Sequence, residues 1–168
     1  MAGAGAYSAA IGAIWDELAD ARARFRPLVS LTEALWVIAE EIDELWEAVR
    51  ADDTTEAVAE ATQVAAMAVR LVVEAGPRRD SDCEFAIASA RLVVQTLVVT
   101  SRDERPAPCA SLKEGYGLLH RQFSRLVKAV EDDRAEGATN HALALAAATT
   151  RFVAEARQCP SAERKVAS

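Results

Sequence analysis

Apolar residues recur at the spacing of helix faces along most of the chain. In the first such segment Ile11, Ile14 and Leu18 share one side. This segment ends before Pro27, because proline disfavours helix at the residue that precedes it. A Ser-x-x-Glu capping box opens the next segment, and the polar turn RADDTT closes it. The pattern predicts six helices, near residues 6–25, 30–50, 56–75, 83–102, 111–132 and 138–158.

The chain carries an internal repeat. Residues 30–75 align without a gap on residues 111–156 at an offset of 81, and both segments open with Ser-x-x-Glu. Each half holds three predicted helices, and a unit of this size has only a marginal core of its own. We predict an all-α helical bundle in which two tandem three-helix repeats, 1–81 and 82–168, form a single-chain pseudo-dimer. The segments GPRRDSD and DERPAPCA are predicted to be loops between helices.

Composition supports a helical globular protein and indicates which partners and which cellular compartment to expect. The 168 residues suffice for one packed core, 51% of them are hydrophobic and only 5% are aromatic. A net charge of −7 leaves no evident basic surface for nucleic acid or for an anionic membrane. The three cysteines form no CxxC pair, no secretory leader is recognisable, and the run RLVVQTLVVT is too short to span a membrane. We expect a cytoplasmic protein with free thiols.

Five acidic residues crowd the segment EEIDELWEAVR of the second predicted helix. On a helical wheel Asp43 and Glu47 point towards solvent. Glu41 lies at the border of the apolar face, where an unpaired carboxylate is costly. Glu44 follows Glu41 by one turn, and Glu40 lies at the edge of the same group. Acid-rich helix faces are usually only solvated, so that interpretation stays open beside a functional one.

The third predicted helix adds Glu60 and Gln63 to this group. Because the turn near Asp52 is short, an antiparallel hairpin sets Glu44 level with Glu60. Glu41 then lies level with Gln63. Mg²⁺ prefers oxygen ligands and keeps several waters, so carboxylate and amide oxygens from two facing helices suit it. The sequence therefore predicts a divalent cation site in the first half.

The second half keeps the scaffold but not the acids. The first half carries a net charge of −8 and the second a net charge of +1. Arg70 and Glu74 do recur, as Arg151 and Glu155, which predicts a structural pair at i,i+4 in both halves. The counterparts of Glu40, Glu41, Glu44, Glu60 and Gln63 are Arg121, Gln122, Arg125, His141 and Ala144.

The acidic pattern resembles that of a known enzyme family. Glu40-Glu41-x-x-Glu44, followed after fifteen residues by Glu60-x-x-Gln63, resembles the EExxE…ExxD signature of the MazG-like all-α nucleotide pyrophosphohydrolases. The resemblance covers the first half well and the second half as a degenerate copy. It implies Mg²⁺-dependent cleavage of a nucleoside triphosphate between its α and β phosphates, which yields a monophosphate and pyrophosphate. MazG-like proteins are commonly dimers or tetramers, so the resemblance also allows a homodimer of the single-chain pseudo-dimer.

The resemblance implies a role for each acidic residue. Glu41, Glu44 and Glu60 would be metal ligands. Glu40 would be a further ligand, or the group that orients or deprotonates the attacking water. Gln63 stands where the family pattern has Asp. Its amide oxygen would coordinate the cation without adding a charge.

Trp36 is a further candidate for substrate binding. Trp36 lies one turn before Glu40 and is a candidate for stacking on a nucleotide base, with surface packing as the alternative.

Two other functions stay open. One is a catalytically inactive binding or regulatory module, which Gln63 and the acid-free second half favour. The other is a structural helical oligomer with a solvated acidic face. For a structural oligomer, Glu41→Ala should leave the stability of the protein unchanged or raise it slightly, and Mg²⁺ should not change that stability.

Overall fold

The computed structural model describes residues 3–77, 83–105 and 107–158, and within these ranges it contains six α-helices and no strand. The prediction of an all-α fold with six helices is confirmed. The predicted loop GPRRDSD includes residues 78–82, which lie outside the described residues, as does Cys159. Within the described residues, Cys83 and Cys109 form no disulfide. The helices are α1 (Ala4–Arg24), α2 (Leu31–Arg50), α3 (Thr54–Arg70), α4 (Cys83–Glu104), α5 (Leu112–Glu131) and α6 (Ala135–Glu155).

The second helix of each half begins at the predicted cap. The Ser30 hydroxyl accepts a hydrogen bond from the Glu33 N–H at 3.1 Å. The Glu33 carboxylate accepts from the N–H of Val29, one residue before the cap, at 2.9 Å. Ser111 and Glu114 repeat both bonds at the start of α5. These bonds satisfy backbone donors that the first helical turn leaves open, and they fix where α2 and α5 start.

The turns that follow α2 and α5 share one backbone geometry. Asp52 and Asp133 adopt φ values of 56° and 53°, and among the described residues they alone combine a side chain with a positive φ. The N–H of the next residue donates to the carbonyl of Ala48 in the first turn and of Ala129 in the second, at 3.0 and 2.8 Å. Aspartate tolerates this left-handed conformation better than most residues. Both helix hairpins therefore turn back at equivalent positions, 81 residues apart.

The core lies around α3 and α6, which pack against each other at the centre. α2 packs on α3, α5 packs on α6, and α2 and α5 also touch. α1 covers α3 and α6, whereas α4 covers α6 and the π-helical turn Leu71–Ala75 that continues α3. A 3₁₀ turn, Ala156–Gln158, continues α6. The central helices are rich in buried alanine, and these short side chains allow neighbouring helices to approach closely on several sides.

Each half also contains a buried ion pair near the end of its third helix. Arg70 Nε donates to Glu74 Oε1 at 3.1 Å, and Arg151 Nε donates to Glu155 Oε1 at 2.6 Å. All four side chains are more than nine-tenths buried. The prediction of a structural i,i+4 pair in both halves is confirmed. Charges this deeply buried are tolerated only when they are paired and fully hydrogen-bonded.

The loops before α2 and α5 supply further partners of these ion pairs. The arginine of each pair donates to a loop carbonyl, that of Arg26 at 2.8 Å in the first half and that of Ala107 at 3.1 Å in the second. The glutamate accepts from the backbone N–H of Leu28 at 2.8 Å and of Cys109 at 3.2 Å. Each pair therefore ties an otherwise irregular loop to the central helices.

α4 has fewer buried residues than the other five helices, namely Ala90, Val94 and Val98. It is 22 residues long with a mean hydropathy of 1.4, and 17% of its most apolar window is buried. Among the described residues it is the one helix that is long and apolar enough to cross a membrane, whereas the segment RLVVQTLVVT considered alone is too short. Helices of soluble proteins reach the same length and composition, so these two properties do not show whether α4 lies in a membrane. The cytoplasmic location stays a prediction.

Candidate metal site

Three carboxylates meet on the α2–α3 hairpin. One oxygen from each of Glu41, Glu44 and Glu60 lies within 4.8 Å of the others. The tight turn at Asp52 produces this arrangement, because it sets the second half of α2 alongside the first half of α3. Among the described residues no other group of three acidic, histidine or cysteine side chains comes together in this way. Separations of this size allow all three oxygens to reach one cation.

The three carboxylates differ in exposure. Glu60 is only 8% exposed, Glu41 is half-buried and Glu44 is exposed, so the cluster opens to solvent on the Glu44 side. The Glu41 Oε2 atom is buried and has no hydrogen-bond partner in the described part of the chain. A buried oxygen without a partner is costly, and a cation at this position would satisfy it.

Burial, and after it the repulsion between neighbouring carboxylates, raises the pKa values of two of these acids. Burial raises the pKa of Glu41 to about 7, with further increases from the charges of Glu44, Glu60, Glu40 and Glu17. Burial also raises the pKa of Glu60 to about 7, with further increases from the charges of Glu44 and Glu56. Without a cation the two acids therefore retain protons near neutral pH. A divalent cation would replace those protons and release them.

We expect the metal-free protein to lose stability as the pH rises from about 4.5 to about 7. Glu41 and Glu60 have folded pKa values of about 7, above their ordinary value of 4.5, so the folded state binds protons more tightly than the unfolded state. Their favourable contribution is complete below pH 4.5 and is lost as the pH passes 7. After allowance for solvent screening the loss is on the order of 1 kcal/mol per group.

Urea unfolding in EDTA at pH 5 and pH 8 measures this effect. Subtracting the same measurement on the double variant Glu41→Gln/Glu60→Gln isolates the two acids from every other titrating group. If the unfolding free energy of the wild-type protein, relative to that of the double variant, increases from pH 5 to pH 8, the raised pKa values of Glu41 and Glu60 are contradicted.

Gln63 contacts the cluster through its nitrogen. The Gln63 Nε2 atom donates to Glu60 Oε2 at 3.0 Å. In this arrangement Gln63 holds the Glu60 carboxylate in place and lowers the repulsion around it. Its role as a ligand through the amide oxygen stays a prediction.

The other predicted residues lie around the cluster. Glu40 is exposed, and its charge helps to raise the pKa of Glu41, which places it beside the cluster. Trp36 is 71% exposed on α2, and its stacking on a base stays a prediction. Asp43 and Glu47 are exposed, as predicted, and Glu47 pairs with the guanidinium of Arg50 at 3.1 Å.

The sequence interpretation missed Glu17 of α1. Its charge contributes to the raised pKa of Glu41, so α1 brings a further acid towards the cluster. Glu17 also pairs with Arg24 on its own helix at 3.4 Å. The sequence shows that Glu17 lies on the polar flank of α1, but it does not show which neighbouring helix faces that flank.

The equivalent positions in the second half form a cationic region. Arg121 and Arg125 are exposed on α5, and His141 is half-buried on α6. Burial and the charges of Arg125 and Arg134 lower the pKa of His141. This region repels a cation, so the acidic cluster of the first half has no duplicate here.

Comparison with known proteins gives no match: no family model, no curated protein and no solved structure matches the chain. The likeness to MazG-like proteins therefore rests on the spacing of the acidic residues and on their placement in the hairpin.

Proposed function

We propose that this protein is a Mg²⁺-dependent nucleoside triphosphate pyrophosphohydrolase with one site, in the first half. The observation that carries the proposal is the convergence of Glu41, Glu44 and Glu60 from two facing helices within 4.8 Å. Hard oxygen ligands and a solvent-open side suit Mg²⁺, which keeps several waters and binds phosphate oxygens. The predicted fold class and the predicted spacing of the acids agree with this chemistry.

The residues of the chain would divide the work as follows. Glu41, Glu44 and Glu60 would hold the cation, and Gln63 would keep Glu60 in position. When bound, Mg²⁺ supplies positive charge that neutralises the triphosphate. Glu40, exposed beside the cluster, would orient or deprotonate the water. The water oxygen bonds to the α phosphorus, the bond to the bridging oxygen breaks, and pyrophosphate leaves.

The proposal includes a single-chain pseudo-dimer as the scaffold. Three features that recur 81 residues apart support it: the caps of α2 and α5, the turns at Asp52 and Asp133, and the buried ion pairs at the ends of the central helices. The packing is also reciprocal, because α3 meets α6, α2 meets α5, and each half pairs its second helix with its third. In this scaffold the second half would act as a pseudo-subunit that supports the first.

A second candidate is a helical module that binds a nucleotide or regulates a partner without catalysis. The hydrogen bond from Gln63 Nε2 to Glu60 favours it, because an amide nitrogen occupies a place where a fourth carboxylate oxygen would strengthen the cation site. Both candidate functions use the cation site, but only the first includes hydrolysis of the bound nucleotide.

Pyrophosphate release from a panel of dNTPs and NTPs, with Mg²⁺ or EDTA, tests the first candidate. Release that needs Mg²⁺ and disappears in Glu60→Gln but not in Glu47→Gln supports the enzyme, since Glu47 is an exposed acid on the same hairpin. Mg²⁺-dependent nucleotide binding without release supports the second candidate. If neither appears, the acidic cluster is only a solvated face and both candidates are wrong.

Gln63→Asp is expected to strengthen Mg²⁺ binding roughly 10-fold, because it adds a carboxylate beside Glu60 and removes an amide that competes for Glu60 Oε2. Titration calorimetry of both proteins measures the change. Without a cation the variant should melt at a lower temperature, since a fourth acid joins the repelling group. Unchanged or weaker Mg²⁺ binding would place residue 63 outside the coordination sphere.

A further inference from the structure

The second half inverts the charge of the acidic cluster as well as losing its acids. Four acidic positions of the first half hold a basic side chain at the equivalent position of the second. These pairs are Glu40 and Arg121, Glu44 and Arg125, Asp53 and Arg134, and Glu60 and His141. Loss of a cation site requires only neutral replacements, whereas like charges at i,i+4, such as Arg121 and Arg125, destabilise a helix. The cationic region therefore requires an explanation other than the fold.

Arg125 and His141 face each other across the α5–α6 hairpin. The turn of this hairpin has the same backbone geometry as the turn between α2 and α3, so the two hairpins share one register. In the first hairpin these positions hold Glu44 and Glu60, whose carboxylate oxygens lie within 4.8 Å of each other. Burial, and after it the charges of Arg125 and Arg134, lowers the pKa of His141. Both guanidinium groups therefore lie near the imidazole ring.

Arg134 borders the region on the side of the α5–α6 turn. Its guanidinium lies against Gly137, because a Cβ atom added to that glycine would lie 3.3 Å from Arg134 Nη1. Gly137 is one turn before His141 on α6. Arg134 also pairs with Asp132 at 3.5 Å, so an acid already offsets part of its charge. With Arg134, the cationic region has members on α5, on the turn and on α6.

The two arginines on α5 have no acidic partner. Within the described part of the chain, neither Arg121 nor Arg125 forms an ion pair. Arg125 Nη1 donates to Gln122 Oε1 at 3.4 Å, and a guanidinium group carries five N–H donors in a planar fork. This fork matches the spacing of two oxygens of a phosphate group. Both side chains are exposed, so an anion can reach them from solvent.

We propose that the cationic region binds the phosphate group of a small molecule. The fork of Arg125 holds two phosphate oxygens, and Arg121 and Arg134 supply further positive charge. His141, once protonated, donates a hydrogen bond to the same group. This site lies in the second half, needs no cation and does not depend on the proposed reaction.

A cavity beside the cationic region has room for the rest of a phosphate ester. Gln122, which accepts the hydrogen bond from Arg125, also lines a cavity of about 280 Å³. Leu118 and Ala148 provide apolar lining, and the other lining residues include both an acid and arginines. Ala148 stands where the first half has Met67, and its shorter side chain leaves more space between α5 and α6. Ligand pockets span about 300–1,000 Å³, so this cavity suits a small ligand.

A small anion fits the region better than a nucleic acid does. Nucleic acids bind through many phosphate contacts spread along a basic surface. The chain has a net charge of −7, and the second half has a net charge of only +1. The acids Asp132 and Asp133 are exposed next to Arg134 and would repel further phosphates of a polymer. A single phosphate group avoids this repulsion.

An NMR titration of the two histidines with inorganic phosphate and with AMP, in EDTA at constant ionic strength, tests the proposal. We expect the His141 ring signals to shift and the pKa of His141 to rise, because a bound anion offsets the charges of Arg125 and Arg134. His120 lies on another side of α5, beside the ring of Tyr116, and its signals should not change. His120 is thus an internal control.

Arg125→Gln should weaken phosphate binding at least roughly 10-fold, because it removes a charged donor. Lys113→Gln is the matched control: Lys113 is an exposed cation on the same helix, and its loss should leave binding unchanged. Circular dichroism melts confirm that both variants fold.

Ala148→Met identifies the source of the phosphate group. Weaker binding of AMP with unchanged binding of inorganic phosphate shows that the site takes an ester whose organic part enters the cavity. Unchanged binding of both shows that the phosphate group alone is recognised. Absence of a shift of the His141 signals at millimolar phosphate and AMP overturns the proposal, and so does equal binding by the wild-type protein and Arg125→Gln. Because EDTA is present throughout, a failure to detect pyrophosphate release has no bearing on this result.

Discussion

Glu41→Gln is expected to raise the melting temperature of the metal-free protein at pH 8 and to abolish its stabilisation by Mg²⁺. The substitution removes one charge from three crowded carboxylates and supplies an amide that can donate to its acidic neighbours. The expected gain is about 1–2 kcal/mol after allowance for solvent screening, or roughly 3–6 °C. Loss of a ligand with a buried oxygen removes the response to the cation.

Differential scanning calorimetry with EDTA and with Mg²⁺ measures both effects. Glu47→Gln makes the same chemical change at an exposed acid on the same helix, so it should melt like the wild-type protein and keep the response to Mg²⁺. A Glu41→Gln protein that melts at a lower temperature than the wild type, or that Mg²⁺ still stabilises, would contradict the structure of the site.

Arg151→Leu is expected to cost about 3–5 kcal/mol of unfolding free energy, the largest change predicted here. Glu155 is 2% exposed and would lose the guanidinium of Arg151, which lies 2.6 Å away. Hydrogen bonds from the Tyr7 hydroxyl and the Cys109 N–H carry no positive charge to replace it. The substitution also removes donors from the carbonyls of Ser101, Arg105 and Ala107.

Urea unfolding of Arg151→Leu measures this loss. Arg50→Leu is the matched control, because Arg50 pairs with Glu47 at the surface and the pair should contribute less than about 1 kcal/mol. The double variant Arg151→Leu/Glu155→Leu should be more stable than Arg151→Leu alone, because it removes both charges together. Equal losses for Arg151→Leu and Arg50→Leu would mean that the buried pair does not hold the loop before α5.

Much of the fold follows from local rules that a sequence contains. The caps at Ser30 and Ser111, the stop before Pro27 and the turn near Asp52 are set by residues within a few positions of each other. Helix periodicity and a short turn were also sufficient to place Glu44 near Glu60, because the register of a tight hairpin depends on its own residues alone.

Features that depend on packing between distant helices could not be predicted in the same way. The charge of Glu17 acts on Glu41 only because α1 packs against α3 with this side turned towards the α2–α3 hairpin. The hydrogen bond from the Gln63 amide nitrogen to Glu60, one turn away on the same helix, depends on side-chain conformations that the sequence pattern does not define. The sequence also did not show which side of α4 is exposed, because apolar residues lie on more than one side of that helix.

The repeat separates structural residues from functional ones. Arg70 and Glu74 recur with the same buried geometry in the second half, so the fold requires them. Glu41 and Glu44 have Gln122 and Arg125 as counterparts, and α5 forms its helix without acids there. The acids of the first half therefore do not serve the fold, and their mutual repulsion makes them costly unless a cation binds.

Titration calorimetry with Mg²⁺ tests the central claim, that Glu41, Glu44 and Glu60 form a cation site. The account predicts saturable binding of one cation per chain by the wild-type protein and by Glu47→Gln, with a release of protons at pH 7 that makes the measured heat depend on the ionisation enthalpy of the buffer. It predicts no saturable binding by Glu41→Gln or Glu60→Gln. Absence of binding to the wild-type protein, or equal binding by all four proteins, would contradict it.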